Sequence, residues 1–212
     1  MSDVVHYAGP FYFFAAYRNY ILMKKIAFIS IITVLIFSTA TDLFALRRRG
    51  RDPFQKPQIG LWFGPVTPIF TTDEVLDTYL GGGLFIRTNS FIKDLKIGLD
   101  SSYQQYRSRG VNRLEMIPVY GNLLYRLPIN LPLSFQLKFG AGGAHLETRP
   151  DGYEQWDPLF MTGLEMSFPA GRIFNIGLRI DYLYVMERHI EGAQRDGHFI
   201  NAGITVFFNL GR

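Results

Sequence analysis

From Gln58 onward, apolar and polar residues alternate with a period of two in eight successive segments. Successive side chains of an extended strand point to opposite faces, so this period predicts β-strands. The last segment shows the pattern in full: one face carries Ile200, Ala202, Ile204, Val206, Phe208 and Leu210, and the other carries Asn201, Gly203, Thr205 and Asn209. The eight segments therefore predict an all-β chain of eight antiparallel strands.

The ionisable residues of these segments fall on the polar face and leave the apolar face almost free of charge. The charged set consists of Arg87, Lys96, Asp100, Arg126, Lys138, Glu165, Arg179 and Asp181. A water-soluble barrel turns its apolar face inward around a core or a ligand, whereas a membrane barrel turns that face to lipid. The alternation alone is compatible with both classes.

Segment length and turn length favour the membrane class. Most segments reach or exceed the roughly 9 to 11 residues that a tilted strand needs to cross a bilayer. Short turns at residues 90–94, 128–132 and 169–173 alternate with longer links at residues 71–78, 108–112, 148–157 and 189–197. Outer-membrane barrels have short periplasmic turns and longer outer loops. We therefore predict an eight-stranded, antiparallel, up-and-down transmembrane β-barrel over residues 58–212.

The N-terminal region has the order of a secretory signal peptide. Lys24 and Lys25 precede an apolar run at residues 26–40, and Ala40 and Ala45 offer small residues for cleavage. As a helix the run spans only ~22 Å, short of the ~30 Å hydrocarbon core. We expect an upstream extension at residues 1–22, a signal-peptide helix at residues 23–45 and a basic periplasmic N-terminal tail at residues 46–57.

Two sequence segments resemble those of a known family. Ile59-Gly60-Leu61-Trp62-Phe63-Gly64-Pro65 and Ile117-Pro118-Val119-Tyr120-Gly121-Asn122-Leu123, within the alternating pattern of the last three quarters of the chain, resemble the small outer-membrane barrels typified by the OmpA transmembrane domain, OmpX and OmpW. The resemblance implies a monomer in the outer membrane of a Gram-negative-type cell, surrounded by lipid and lipopolysaccharide and inserted by the barrel assembly machinery. The chain departs from the family's frequent terminal phenylalanine, because it continues past Phe208 to Arg212.

The predicted interior suggests a structural role and not a catalytic one. An eight-stranded barrel has room inside mainly for side chains, and ions of opposite sign in so narrow a space must pair to offset their desolvation. We expect a closed, charge-paired interior and a structural or surface-interaction role through the outer loops, with no enzymatic activity and no cofactor. A narrow transport path for small solutes is the alternative.

Two other functions, a soluble ligand carrier and a metal-binding protein, have weaker support in the sequence. Gly60-Leu61-Trp62 matches a glycine-x-tryptophan sequence of lipocalins, which leaves a soluble ligand carrier as an alternative. His189 and His198 could bind a divalent metal with nearby carboxylates, but spacing alone is weak support.

Two further classes find little support. His145 and Glu147 suggest part of a hydrolase triad, yet no serine is evidently placed beside them. The net charge of +4 owes much to basic residues before the barrel, so nucleic acid is not an expected partner. The chain contains no cysteine, which excludes disulfides and thiolate metal sites.

Overall fold

The computed structural model describes residues 54, 56–108, 113–129, 131–150, 152–171, 173–187 and 196–210. The upstream extension, the signal peptide and most of the basic tail lie outside these residues. Within the described ranges, no helix is long and apolar enough to cross a membrane.

The described chain is built from strands. Their bounds are β1 Gln58–Pro68, β2 Leu76–Asp77, β3 Tyr79–Asn89, β4 Leu95–Ser108, β5 Arg113–Arg126, β6 Ser134–Arg149, β7 Tyr153–Pro169, β8 Phe174–Val185 and β9 Gly197–Asn209, with a 3-10 helix at Phe70–Glu74. Strand β2 is a two-residue addition to β4. The other eight strands confirm the predicted all-β class.

These eight strands form a closed antiparallel ring. Each pairs with its neighbour in sequence, and β1 closes the ring by pairing with β9, where Gln58 lies opposite Asn209 and Phe63 opposite Ile204. Closure leaves no unpaired sheet edge in the part of the wall that faces lipid, as a spanning barrel requires. The predicted eight-stranded up-and-down barrel is confirmed.

The apolar face of the strands points outward. Large exposed apolar side chains occur on every strand of the ring: Ile59, Leu61, Phe63, Leu84, Ile97, Leu99, Leu123, Phe139, Phe160, Ile180, Ile204 and Phe208. Leu61 is 51% exposed and Leu84 is 64% exposed. A continuous apolar surface of this kind suits hydrocarbon and not water. It is the reverse of a soluble ligand carrier, so the lipocalin-like alternative does not fit the structure.

One predicted link is wrong. We expected a long loop at residues 148–157, but β6 continues to Arg149 and β7 begins at Tyr153. Because polar residues occupy both faces of the hairpin here, the apolar alternation that marks the lipid-facing strands ends before the strands do. Strand β8 first pairs with β7 at Leu159, so the β7 strand projects roughly 20 Å along its length beyond β8.

Candidate functional site in the barrel interior

An ion pair joins opposite walls of the barrel. Arg87 of β3 donates from Nη1 to Oε1 of Glu165 at 2.7 Å and from Nη2 to Oε2 at 2.6 Å. Both side chains are fully buried. The guanidinium also lies 3.9 Å from the ring centroid of Phe85. Two parallel hydrogen bonds and an aromatic face offset part of the cost of burying this cation. The Nε atom of Arg87 is buried without a hydrogen-bond partner.

A second group of charges lies beside this pair. The ammonium of Lys138 is 3.1 Å from both carboxylate oxygens of Asp181 and 3.5 Å from Oδ2 of Asp100. Arg179 donates from Nε to Asp181 at 2.6 Å, and its Nη2 is 3.2 Å from Oδ2 of Asp100. Each carboxylate therefore contacts two cations.

Neutral polar groups complete this arrangement. Asn122 donates from Nδ2 to Oδ1 of Asp100 at 2.9 Å, and the hydroxyl of Tyr120 accepts from Nη2 of Arg179 at 3.0 Å. These side chains come from β5, between the strands that carry the charges. They hold the second group in one geometry.

We call these six residues the interior ion cluster: Arg87, Asp100, Lys138, Glu165, Arg179 and Asp181. Three cations and three carboxylates give a net charge of 3 − 3 = 0. Each residue is at most 1% exposed. A buried charge is tolerated when it is paired and hydrogen-bonded, so a neutral cluster can fill the lumen at mid-depth.

The two other predicted site residues lie apart from the cluster. Lys96 donates from Nζ to the backbone carbonyl of Lys56 at 2.6 Å, and Arg126 forms an ion pair with Asp94. The charged groups of Lys96 and Arg126 each lie 4.8 Å from the ring centroid of Phe54. The Phe54 side chain is buried and contacts both cations at the end of the barrel near the β3–β4 turn.

The half of the lumen nearer the β6–β7 hairpin is mostly apolar, with Gln104 and Asp157 among its buried polar side chains. Its buried side chains include Val66, Tyr106, Met116, Leu146, Leu183 and Phe199. The rings of Tyr106 and Phe199 pack with centroids 4.9 Å apart. Leu76, from the link between β1 and β3, joins this cluster from above. The lumen is thus filled by the charged residues together with Phe85 and Phe207 at one depth, and by mostly apolar side chains toward the β6–β7 hairpin.

The histidines have other partners. The Nδ1 atom of His198 is 2.7 Å from the hydroxyl of Tyr182, and His145 packs on Trp156 with Nε2 3.7 Å from Glu154. Among the residues that the structure describes, no three His, Cys, Asp or Glu side chains form a group that could hold a metal. His189 lies outside the described residues.

Comparisons with known proteins identify the fold. No family model and no curated protein matches the chain. Among solved structures, neisserial surface protein A superposes with a TM-score of 0.54 at 10% identity, over 76% of this chain and 100% of that one.

Two Pseudomonas aeruginosa barrels also superpose. The N-terminal barrel domain of OprF has a TM-score of 0.49 at 15% identity, over 74% of this chain and 98% of that one. OprG has a TM-score of 0.48 at 12% identity, over 74% and 97%. The chain has the fold of neisserial surface protein A.

Proposed function

We propose that this protein is an integral β-barrel of a bacterial outer membrane, with a structural or surface-interaction role. The observation that carries the proposal is the combination of a filled lumen with a projecting outer wall. The buried interior ion cluster and the apolar layer above it leave the middle of the barrel to side chains. The outer end of β7, with the β6–β7 hairpin that it forms, extends past the neighbouring strand β8 and offers surface for contacts.

The outer surface supports the membrane location. Apolar side chains encircle the barrel, and a closed ring satisfies the backbone hydrogen bonds that hydrocarbon cannot. In this proposal the barrel is a monomer surrounded by lipid and lipopolysaccharide, and the barrel assembly machinery inserts it. It has no enzymatic activity and needs no cofactor.

Conductance separates this role from a narrow transport path. Transport would require both the ion cluster and the apolar layer to rearrange, because the two layers block the same lumen at different depths. The purified barrel in a planar bilayer should therefore show no sustained conductance. Steady single-channel currents would favour the transport path instead.

Orientation can be tested with introduced cysteines, because the chain has none of its own. The first variant is Tyr153→Cys, because Tyr153 lies at the tip of the β6–β7 hairpin and is 68% exposed. The second variant is Lys93→Cys, because Lys93 is exposed in the turn between β3 and β4, at the opposite end of the barrel. A membrane-impermeant maleimide should label the first variant on intact cells and the second only after permeabilisation. The reverse pattern, or equal labelling of both, would contradict the proposed orientation.

A further inference from the structure

Apolar side chains cover the turns at one end of the barrel, opposite the β6–β7 hairpin. In the β3–β4 turn, Phe91 is fully exposed and Ile92 is 63% exposed. Exposed apolar side chains also occur in the β5–β6 turn, in the β7–β8 turn and just after β9: Ile129, Leu131, Ile173 and Leu210. We call these six residues the apolar rim.

The apolar rim continues the lipid-facing wall around the circumference of the barrel. Its three turns and the chain end after β9 follow one another at every second strand of the ring. Ile173 directly precedes Phe174, and Leu210 lies two residues after Phe208, which is 45% exposed on the lipid-facing side of β9. Rim and wall therefore form one apolar surface, and a surface of that extent marks contact with a membrane or a partner.

The β3–β4 turn is held by contacts that leave Phe91 exposed. The backbone N–H of Ser90 donates to the carbonyl of Leu95 at 3.1 Å, and the N–H of Leu95 donates to the carbonyl of Ile92 at 3.2 Å. Asp94 forms an ion pair with Arg126 of β5. The turn thus presents the Phe91 ring on a fixed backbone, and this side chain can be replaced without removing a contact that closes the turn.

The height of the wall places the rim at the level of the lipid headgroups. The lipid-facing residues of β5 run from Ile117 to Tyr125, about 21 Å along the barrel axis at a rise of ~3.4 Å per residue and a tilt of ~40°. The apolar band of an outer-membrane barrel is about 25 Å tall. The strands alone therefore nearly span the hydrocarbon, and the rim lies at its boundary.

The two ends of the barrel carry opposite net charges, counted over the residues that the structure describes. The hairpin end has three arginines and nine carboxylates, a net charge of 3 − 9 = −6. The rim end has a net charge of 4 − 1 = +3, from Lys56, Lys93, Lys96, Arg126 and Asp94. Lys93 is exposed in the same turn as Phe91. An anionic surface therefore attracts the rim end and repels the hairpin end.

We propose that the apolar rim inserts into an anionic phospholipid surface, with its apolar side chains among the upper acyl carbons and Lys93 at the phosphates. This inference rests on the proposed function, which places the barrel in a membrane with these turns on the periplasmic side. Two observations support a lipid surface as the occupant: the rim continues the lipid-facing wall, and its end of the barrel is basic. A basic side chain near an anionic membrane surface strengthens binding roughly fivefold.

The test uses the full chain folded into vesicles of mixed phosphatidylcholine and phosphatidylglycerol, with a fluorophore on one introduced cysteine. Phe91→Cys and Ile129→Cys report on two different rim turns. Their fluorescence should be quenched by brominated acyl chains and protected from iodide in the water. Tyr153→Cys, at the exposed tip of the β6–β7 hairpin, is the matched control and should respond to iodide but not to brominated lipid.

A second measurement tests the preference for anionic headgroups. Bromine is placed either on phosphatidylglycerol alone or on phosphatidylcholine alone, in vesicles of the same composition. The label at Phe91→Cys should be quenched more strongly by brominated phosphatidylglycerol. Adding Lys93→Gln should reduce this preference roughly fivefold, whereas Lys93→Arg keeps the charge and should retain it. Equal quenching by the two lipids in the protein with Lys93 would overturn the anionic assignment.

Two outcomes would overturn the insertion of the rim. Labels at Phe91→Cys and Ile129→Cys that iodide quenches as freely as the label at Tyr153→Cys would place the rim in water. Labels that lie in water in vesicles but are protected in isolated outer membranes would assign the rim to a protein partner instead of lipid. Each variant is checked for folding by the gel mobility of unheated protein.

A label on the wall separates failure of this inference from failure of the proposed function. Leu123 is 47% exposed on the lipid-facing side of β5, so a label at Leu123→Cys reports whether the barrel is in the membrane. Quenching of this label by brominated lipid, with rim labels in water, contradicts the lipid-inserted rim alone. A folded barrel whose Leu123→Cys label is also in water contradicts the proposed function.

Discussion

Arg87 and Glu165 are 78 residues apart in the chain, yet they form a bidentate ion pair across the lumen. Their strands, β3 and β7, lie diametrically opposite in the ring of eight. The pair therefore braces the barrel between two walls that share no backbone hydrogen bond.

Removing one member of this pair should cost more stability than removing both. Glu165→Gln leaves a buried, uncompensated guanidinium, and breaking a buried pair in this way costs about 3 to 5 kcal/mol. The free energy of unfolding can be measured by urea titration in phospholipid vesicles, with fluorescence of the two tryptophans as the signal.

The matched control is the double variant Arg87→Met, Glu165→Leu. Apolar replacements of a buried pair are often neutral or stabilising, so this variant should recover most of the lost free energy. A double variant as unstable as Glu165→Gln would show that the pair's charges do not account for the loss.

Substitution by alanine should affect the stability of the barrel differently at two glycines. A Cβ on Gly163 would lie 2.2 Å from Oδ1 of Asp181 and 2.8 Å from the carbonyl oxygen of Ile180. Gly163→Ala should therefore displace Asp181 from the interior ion cluster and destabilise the barrel by about 1 to 3 kcal/mol.

Gly121→Ala is the comparison, because the nearest atom to its Cβ is 3.9 Å away. This variant should be neutral or slightly stabilising, since alanine restricts the unfolded chain. The same urea titration measures both variants. Equal losses at the two positions would contradict the packing described around Asp181.

The cost of placing a charge on the outer surface of the barrel should depend on its depth in the membrane. Leu61 is half exposed on the lipid-facing side of β1, so Leu61→Arg should cost about 2 to 4 kcal/mol in a bilayer. Thr67 lies on the same face of β1, nearer its outer end, so Thr67→Arg should cost about 0 to 1 kcal/mol. Folding into vesicles at graded urea concentrations measures the difference, and similar costs at both sites would argue against a lipid-facing β1.

Phe54 should stabilise the end of the barrel near the β3–β4 turn through its two cationic neighbours. Phe54→Ala removes the ring from between Lys96 and Arg126, and the lost cation–π contacts should cost about 1 to 2 kcal/mol. Phe54→Tyr keeps the aromatic face and should retain most of that free energy. Urea unfolding of the two variants would distinguish them, and equal stability of Phe54→Ala and the unchanged protein would show that the ring is dispensable.

The strands could be predicted from sequence because apolar and polar residues alternate along each of them. The apolar residues face lipid, and the polar residues face the lumen. The alternation ends before β6 and β7 do, so the sequence predicts a loop from Thr148 to Asp157 where the structure has a hairpin. Most residues from Thr148 to Gln155 are polar whichever face they occupy, so no apolar alternation marks this part of β6 and β7.

The sequence also indicated which charges share a face, but not which of them meet. Partners such as Arg87 and Glu165 depend on how strongly the strands are staggered when the ring closes, and no local pattern encodes that stagger. Lys96 and Arg126 share the polar face of their strands with the cluster members, yet they contact Phe54 near the β3–β4 turn. Phe54 itself was missed because a single aromatic residue in a basic stretch carries no periodic signal.

The most direct test of a closed, lipid-facing barrel is the gel mobility of boiled and unboiled protein from fractionated membranes of cells that make the full chain. A closed barrel resists detergent without heating, so we expect the protein in the outer-membrane fraction, with the unboiled form migrating differently from the boiled form. Protein in the soluble periplasmic fraction, with the same mobility before and after boiling, would contradict the account.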